Sequence, residues 1–291
     1  MRELRVDLFS GDVVIFAPDR SSRPTDMAKI KDEKELTNIY EENCPFCRGN
    51  ESYADKKTFE LNDEYGWVCR SIYNKYPIID NNCKGINGSH EVMIETYKHN
   101  GTFYNMTEKE FNNMFLMYKN RYINYIKDEE ILYVSIFKNF LKKAGASLAH
   151  PHSQIVSMNI VPKEIKNELS VLKNYYDENN ESLYDKVIKE EIILNERVIF
   201  NGKKFIAIVP YASMYGNEIR VICKDNTRFE DLEESNLKEL SYIFNNLFKK
   251  IYKTCGYMPF NLSMHSHPKN IDCNDLFNLH FHIIPRKYRN I

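Results

Sequence analysis

The motif His150-Pro-His-Ser-Gln154 follows a segment whose pattern is that of a strand, a helix and a second strand. The strands are predicted at residues 90–96 and 131–137, with the helix at about 107–127. In the helical segment, apolar residues recur every three or four positions, which places them on one face. The motif therefore stands at the end of an α+β unit.

The same order of elements recurs towards the end of the sequence. A strand, a helix and a histidine-bearing segment are predicted at residues 217–223, 231–252 and 279–282. Glu91 and Glu218 are 127 residues apart, and His150 and His280 are 130 apart. Matching order at a nearly constant offset indicates two tandem copies of one fold.

The boundary between the copies is expected where a charged, helical segment begins at residue 163. We therefore predict an N-terminal half, residues 1–162, and a C-terminal half, residues 163–291. Residues 13–16, in an extension that precedes the first copy, read as a strand. No low-complexity linker separates the halves, so they are expected to form one body.

Composition and charge exclude several classes of protein. The 291 residues carry 40 basic and 41 acidic side chains, which gives no reason to expect nucleic acid or an anionic membrane as a partner. No apolar run approaches the roughly 20 residues of a membrane helix. The charged start, Met1-Arg-Glu3, lacks the apolar region of a signal peptide. A cytoplasmic protein is expected.

Two of the seven cysteines, Cys44 and Cys47, have the spacing of a zinc knuckle. A redox dithiol is the alternative, although the βαβ context of such a motif is missing. An odd number of scattered cysteines argues against a disulfide framework. The others are expected to be ordinary thiols: Cys69, Cys83, Cys223, Cys255 and Cys273.

Six of the eight histidines form His-x-His pairs, at 150 and 152, 265 and 267, and 280 and 282. In a strand, residues i and i+2 point to the same side, so each pair can place two imidazoles on one surface. Three such pairs beside a Cys-x-x-Cys indicate metal binding or catalysis. His99 and His150 are the candidates that complete a site with Cys44 and Cys47.

Six motifs occur in an order that carries a likeness to a known family. They are Asp19-Arg20-Ser-Ser-Arg23-Pro24, Cys44-Pro-Phe-Cys47, Asn74-Lys-Tyr-Pro77, Phe137-Lys-Asn139, His150-Pro-His-Ser-Gln154 and His280-Phe-His282. Together they resemble the galactose-1-phosphate uridylyltransferase family, a branch of the histidine-triad superfamily. The likeness covers nearly the whole chain. It implies two tandem histidine-triad-like halves of the α+β class, each an antiparallel sheet with packed helices.

The resemblance also implies the roles of individual residues. His152 would be the nucleophile, and Gln154 would hold the α-phosphate. The residues expected to bind substrate are Arg20, Arg23, Asn74, Asn139 and Ser147, of which the arginines would act across the interface of a homodimer.

The resemblance implies two metal sites. A structural Zn²⁺ would be held by Cys44, Cys47, His99 and His150. A second ion, Zn²⁺ or Fe²⁺, would be held by Glu168, His265, His280 and His282.

The predicted activity is transfer of a nucleoside monophosphate, UMP by resemblance, from a nucleotide sugar to a sugar 1-phosphate through a covalent histidine. Two alternatives stay open: a phosphorylase that uses inorganic phosphate on an ADP-sugar or a dinucleoside polyphosphate, and a zinc-stabilised binding module without turnover. The sequence departs from the family at residues 140–144 and 216–218, and it ends nine residues after His282. A family segment that helps to hold the hexose follows that point, so the acceptor is expected to be recognised loosely.

Overall fold

The computed structural model describes residues 3–16, 34–273 and 276–286. Within these ranges the chain forms twelve strands and four α-helices. The strands are β1 (Glu3–Val6), β2 (Val13–Phe16), β3 (Lys57–Asp63), β4 (Gly66–Tyr73), β5 (Gly88–Ile94), β6 (Tyr133–Phe140), β7 (His152–Met158), β8 (Val198–Asn201), β9 (Phe205–Ile208), β10 (Ile219–Cys223), β11 (Phe260–His265) and β12 (His280–Pro285). The helices are α1 (Glu108–Ile126), α2 (Lys163–Asn179), α3 (Leu183–Leu194) and α4 (Glu234–Cys255).

Ten of the strands form one antiparallel sheet with a symmetric order. It runs β3-β4-β5-β7-β6-β11-β12-β10-β9-β8, and β1 and β2 pair separately. β6 and β11 form the central pair. Outwards from β6 come β7, β5, β4 and β3, and outwards from β11 come their counterparts β12, β10, β9 and β8. The predicted fold class is thereby confirmed: the chain is α+β and consists of two tandem histidine-triad-like halves.

The strand register shows which residues of the two halves correspond. His152 lies opposite Ile94 on β5, and His280 lies opposite Ile222 on β10. His152 and His280 are 128 residues apart, and so are Ile94 and Ile222. The pairing of His150 with His280 suggested by the sequence was therefore wrong by two residues, and that of Glu91 with Glu218 by one, because sequence order alone does not fix register.

The two long helices bury an aromatic core between them and the sheet. α1 begins at a capping box in which Thr107 accepts from the backbone of Glu110 and the Glu110 carboxylate accepts in return. Phe115 on α1 meets Phe244 on α4 edge to face, with ring centroids 5.0 Å apart. Full burial of such a side chain stabilises by roughly 1.5–3 kcal/mol. α1 and α4 therefore cover one face of the sheet, and His152 lies on the other face.

The connection between the halves is helical, as the sequence indicated. α2 starts at Lys163 and carries Glu168 to the C-terminal half, and α3 follows it. The division of the chain at residue 162 stays a prediction. In the described ranges, all seven cysteines are free, and no helix is both long and apolar enough to cross a bilayer.

Candidate active site and metal centres

His152 lies at the first position of β7, on the face of the sheet away from α1. Its Nδ1 atom lies 2.9 Å from the carbonyl oxygen of His150. A carbonyl can only accept, so the proton is on Nδ1 and the lone pair is on Nε2. Phe46 meets the imidazole edge to face at 5.3 Å. Burial lowers the pKa of His152, which keeps the ring neutral at pH 7.

Gln154 lies two residues further along the same strand, hence on the same face as His152. Its Oε1 atom is 2.8 Å from Nε2 of His90 on the neighbouring strand β5. The sequence assigned no role to His90. Val92 lies opposite Gln154 in the register of β5 and β7. Because side chains alternate between faces along a strand, His90, two residues before Val92, lies on the same face as Gln154.

Of the other predicted substrate-binding residues, some lie within the described ranges and some do not. Asn139 on β6 accepts a hydrogen bond through Oδ1 from Asn261, at 2.7 Å, which fixes its amide. Ser147 is exposed on the loop before β7. Arg20 and Arg23 lie outside the described residues.

Asn74 borders a cavity of about 500 Å³ that His90 also lines. Pro77, Asp80 and Ser157 also line this cavity. His90 thus stands between this cavity and Gln154. The cavity is large enough for a base and is lined mainly by polar groups, which suits a ligand with hydrogen-bonding edges.

Cys44, Cys47, His99 and His150 converge, with one ligand atom from each lying within 4.8 Å of all the others. Sγ of Cys47 is 3.5 Å from Nδ1 of His99 and 3.6 Å from Nδ1 of His150. A tetrahedral zinc site with bonds of about 2.0–2.3 Å places its ligand atoms about 3.3–3.8 Å apart. The cluster therefore has the chemistry and dimensions of a closed zinc site.

The protonation of the cluster also suits a cation. The carbonyl oxygen of Thr96 lies 3.0 Å from Nε2 of His150, so the ring proton is on Nε2. The lone pair of Nδ1 can then bind a metal ion. Burial lowers the pKa of His150 to about 3. Burial, with Cys47 beside it, raises the pKa of the Cys44 thiol to about 11. A bound cation favours the thiolate and so reverses that effect.

The C-terminal half holds the second predicted cluster. Ligand atoms of His265, His280 and His282 lie within 4.8 Å of one another. Glu168 reaches Nδ1 of His265 at 3.0 Å and Nε2 of His280 at 3.5 Å. Burial opposes ionisation of Glu168, but His280 and His265 outweigh it and lower the pKa to about 2. His267, the other histidine of its pair, does not join the cluster.

One atom of the second cluster lacks a partner. Nε2 of His282 is buried and makes no hydrogen bond to any residue in the described ranges. Such an atom costs free energy unless something binds it. Three imidazoles, one of them with this unpaired nitrogen, and a carboxylate are a ligand set that suits Zn²⁺ or Fe²⁺. The cluster opens into a cavity of about 570 Å³ that Arg220 and Asp7 also line.

A buried charged network under β7 was missed by the sequence analysis. Nζ of Lys138 lies 2.7 Å from Oε2 of Glu95 and 3.1 Å from the carbonyl oxygen of His152, and both charged side chains are wholly buried. Ser153 donates to the same carboxylate, and Tyr118 donates to Ser153 at 2.5 Å. The available signal was a charged residue, Glu95, among the apolar residues of the strand predicted at residues 90–96.

Fold and site together define a histidine-triad-like protein in which the N-terminal half carries the His-Pro-His motif beside a Cys₂His₂ cluster. The family described as "Galactose-1-phosphate uridyl transferase, N-terminal domain" matches residues 1–162. The chain belongs to this family, as the motifs of the sequence indicated.

The named relatives are enzymes of two related kinds. The chain is 27% identical to ADP-glucose phosphorylase of Arabidopsis thaliana, over 98% of this chain and 84% of the relative. It is 24% identical to galactose-1-phosphate uridylyltransferase of Thermotoga maritima, over 99% of this chain and 88% of the relative. The crystal structure of the Arabidopsis ADP-glucose phosphorylase with bound ADP-glucose has a TM-score of 0.86 at 26% identity, covering 100% of this chain and 91% of that one. The chain therefore belongs to an enzyme family of nucleotidyltransferases and phosphorylases.

Proposed function

We propose that the chain transfers a nucleoside monophosphate from a nucleotide sugar to inorganic phosphate through a covalent bond to His152. The observation that carries this proposal is the tautomer of His152, whose Nδ1–H is held by the His150 carbonyl at 2.9 Å. Nε2 is then an unprotonated nucleophile at pH 7. Gln154 lies beside it on the same face of the strand.

The reaction has two displacements at the α-phosphorus. In the first, Nε2 of His152 attacks, the bond from phosphorus to the oxygen that bridges to the β-phosphate breaks, and a sugar 1-phosphate leaves. In the second, an oxygen of inorganic phosphate attacks, the phosphorus–nitrogen bond breaks, and a nucleoside diphosphate is released. The covalent intermediate divides one difficult step into two easier ones.

The remaining site residues would bind the donor. Negative charge grows on the α-phosphate oxygens during attack, and the NH₂ group of Gln154 is a side-chain donor on the same face of the strand. Loss of one such preorganised donor typically costs about 2.7–4 kcal/mol. We propose that the other contacts to phosphate, ribose and base come from Arg20, Arg23, Asn74, Asn139 and Ser147.

Similarity to ADP-glucose phosphorylase supports AMP as the transferred group and phosphate as the acceptor. That relative matches at 27% identity, and its structure with ADP-glucose superposes over the whole chain. The second candidate is UMP transfer to a sugar 1-phosphate, which was the first prediction from the sequence. The family match and the uridylyltransferase relatives support it.

The two candidates are separated by loading and unloading His152. The protein is incubated with radiolabelled ADP-glucose, UDP-glucose and UDP-galactose in turn, and the label bound to protein is counted. The loaded protein is then offered phosphate, glucose 1-phosphate or galactose 1-phosphate. Loading from ADP-glucose and discharge by phosphate support the first candidate. Loading from a UDP-sugar and discharge only by a sugar 1-phosphate would overturn it in favour of the second.

We also propose that zinc occupies the cluster of Cys44, Cys47, His99 and His150. With four protein ligands it would leave no position for water, so it would stabilise the strand that carries His152 rather than activate a nucleophile. The cluster of Glu168, His265, His280 and His282 would hold a second structural Zn²⁺ or Fe²⁺. The predicted homodimer, with Arg20 and Arg23 acting across it, is a proposal that sedimentation would check.

A further inference from the structure

Two contacts of His90 define its protonation. The backbone N–H of Ile78 points to Nδ1 at 3.1 Å, and Oε1 of Gln154 lies 2.8 Å from Nε2. A backbone N–H can only donate, so Nδ1 must hold a lone pair. In a neutral imidazole the proton is then on Nε2, from which it is donated to Oε1 of Gln154.

The amide of Asn74 contacts the face of the same ring. Its Nδ2 atom is 3.1 Å from Nε2 and 3.4 Å from Nδ1 of His90. An atom so close to both nitrogens in the ring plane would collide with the carbon between them, so the amide must lie over the ring as an N–H···π contact. Oδ1 of Asn74 accepts from the backbone of Tyr76 at 2.9 Å, which holds the amide there.

These contacts determine how the Gln154 amide is turned. The oxygen of an amide group accepts and its nitrogen donates, and the two are interchangeable unless a neighbour distinguishes them. The N–H of His90 does so, because it attracts Oε1 and leaves the NH₂ group facing away. Along β7, His90 lies on one side of Gln154, opposite Val156, and His152 lies on the other.

We propose that His90 is a positioning residue that turns the Gln154 amide so that its NH₂ group meets the phosphate attacked by His152. This rests on the proposed function for the role of Gln154, but the orientation itself comes from contacts within the chain. His90 also lines the 500 Å³ cavity with Asn74. The residue therefore lies between that cavity and the proposed phosphate contact. Its burial lowers the pKa, in keeping with a neutral ring.

The test is a double-mutant cycle between His90 and Gln154. The readout is the single-turnover rate of label transfer to protein from whichever nucleotide sugar loads the wild type. In His90→Asn the side chain is too short to reach Gln154, so loading should slow about tenfold or more. This is part of the roughly 10²–10³-fold in rate that an oriented donor typically contributes. His90→Gln, whose amide N–H reaches the position of Nε2, should stay within about threefold of wild type.

The decisive arm is His90→Asn in a Gln154→Ala protein. If His90 acts through Gln154, the substitution should cause no further slowing there. Equal slowing in both backgrounds would overturn the proposal, because it would show that His90 acts independently. Urea denaturation of each variant identifies any that is slow because it is unfolded.

A second measurement does not depend on activity. Nitrogen-15 NMR of the histidine rings, with His90 assigned by comparison with His90→Gln, should show the proton on Nε2. A proton on Nδ1 would overturn the proposal even if His152 is loaded. If the wild type is never loaded but the Nε2 proton is found, the proposed function fails while the orienting contact stands.

Discussion

His152 and His280 occupy equivalent positions in the two halves of the sheet, and each donates its Nδ1–H to the carbonyl oxygen two residues earlier. The distances are 2.9 Å to His150 and 2.8 Å to Asn278. Their Nε2 atoms differ in surroundings: that of His280 is 3.5 Å from Glu168. In the part of the chain that the structure describes, no hydrogen bond is made to Nε2 of His152. The same backbone arrangement thus serves a metal-type cluster in one half and, we propose, a nucleophile in the other.

The register extends this relationship to the neighbouring position. Gln154 and His282 are 128 residues apart, as are His152 and His280. An imidazole in place of an amide at this position, with Glu168 supplied by α2, distinguishes a site suited to a cation from the site that we propose for phosphate. This chemical difference between the halves is therefore attributable to a few side chains on a common framework.

Removal of one partner of the buried Lys138–Glu95 pair should be strongly destabilising. The two atoms are 2.7 Å apart and neither side chain reaches solvent, so Lys138→Met leaves a carboxylate uncompensated. Such a change typically costs about 3–5 kcal/mol. Urea denaturation of zinc-replete protein measures it. The double substitution Lys138→Met, Glu95→Gln should recover part of the loss, and a cost below about 1 kcal/mol for the single change would contradict the assignment.

Substitution of both knuckle cysteines should remove one metal ion per chain. Cys44→Ser with Cys47→Ser deletes half of the ligands of the first cluster, and hydroxyl groups replace thiolates poorly on zinc. Because metal binding is coupled to folding, the urea midpoint should fall as well. Elemental analysis after dialysis gives the stoichiometry. Cys69→Ser, at a buried thiol outside the cluster, is the control and should keep its full metal content.

The same double variant should keep the ion of the second cluster. Its ligands lie in the other half of the sheet, and Nε2 of His282 lacks any hydrogen-bond partner in the described ranges. Addition of His282→Asn should then reduce the remaining metal to background. If the double variant already contains no metal, the second site does not exist as proposed.

The stability of the wild type should fall more steeply in acid than that of His90→Gln. Burial lowers the folded-state pKa of His90, whereas its unfolded value is about 6.5. The stabilisation from keeping the ring neutral is therefore complete above about pH 6.5 and is lost as the pH falls through the lowered folded value. Urea midpoints at pH 7.5 and 5.5 for both proteins test this. An equal or larger loss in His90→Gln would be inconsistent with a buried, neutral His90.

The sequence predicted the elements whose patterns are local. The apolar face of α1 is written in neighbouring residues and was confirmed, and the capping box of Thr107 and Glu110 at the start of the helix is equally local. The motif residues were proposed because their order resembles that of the family. Metal-type clusters could be anticipated because cysteine and histidine have few other reasons to gather.

What escaped prediction depends on chain segments that meet only in the folded sheet. Glu95 and Lys138 are 43 residues apart, and no local pattern pairs their charges until β5, β6 and β7 lie side by side. His90 was likewise unassigned, because its contacts to Ile78 and Gln154 require the register of β5 against β7. Register is set by packing of the whole sheet rather than by local propensity.

Covalent transfer through His152 is tested most directly by mass spectrometry of the protein after incubation with ADP-glucose or a UDP-sugar. We expect one acid-labile nucleoside monophosphate per chain, attached to the peptide that contains His152. We also expect complete loss of the adduct in His152→Asn and its retention in His267→Asn, at a buried histidine outside both clusters. An adduct that persists in His152→Asn, or turnover without any adduct in the wild type, would contradict a covalent role for His152.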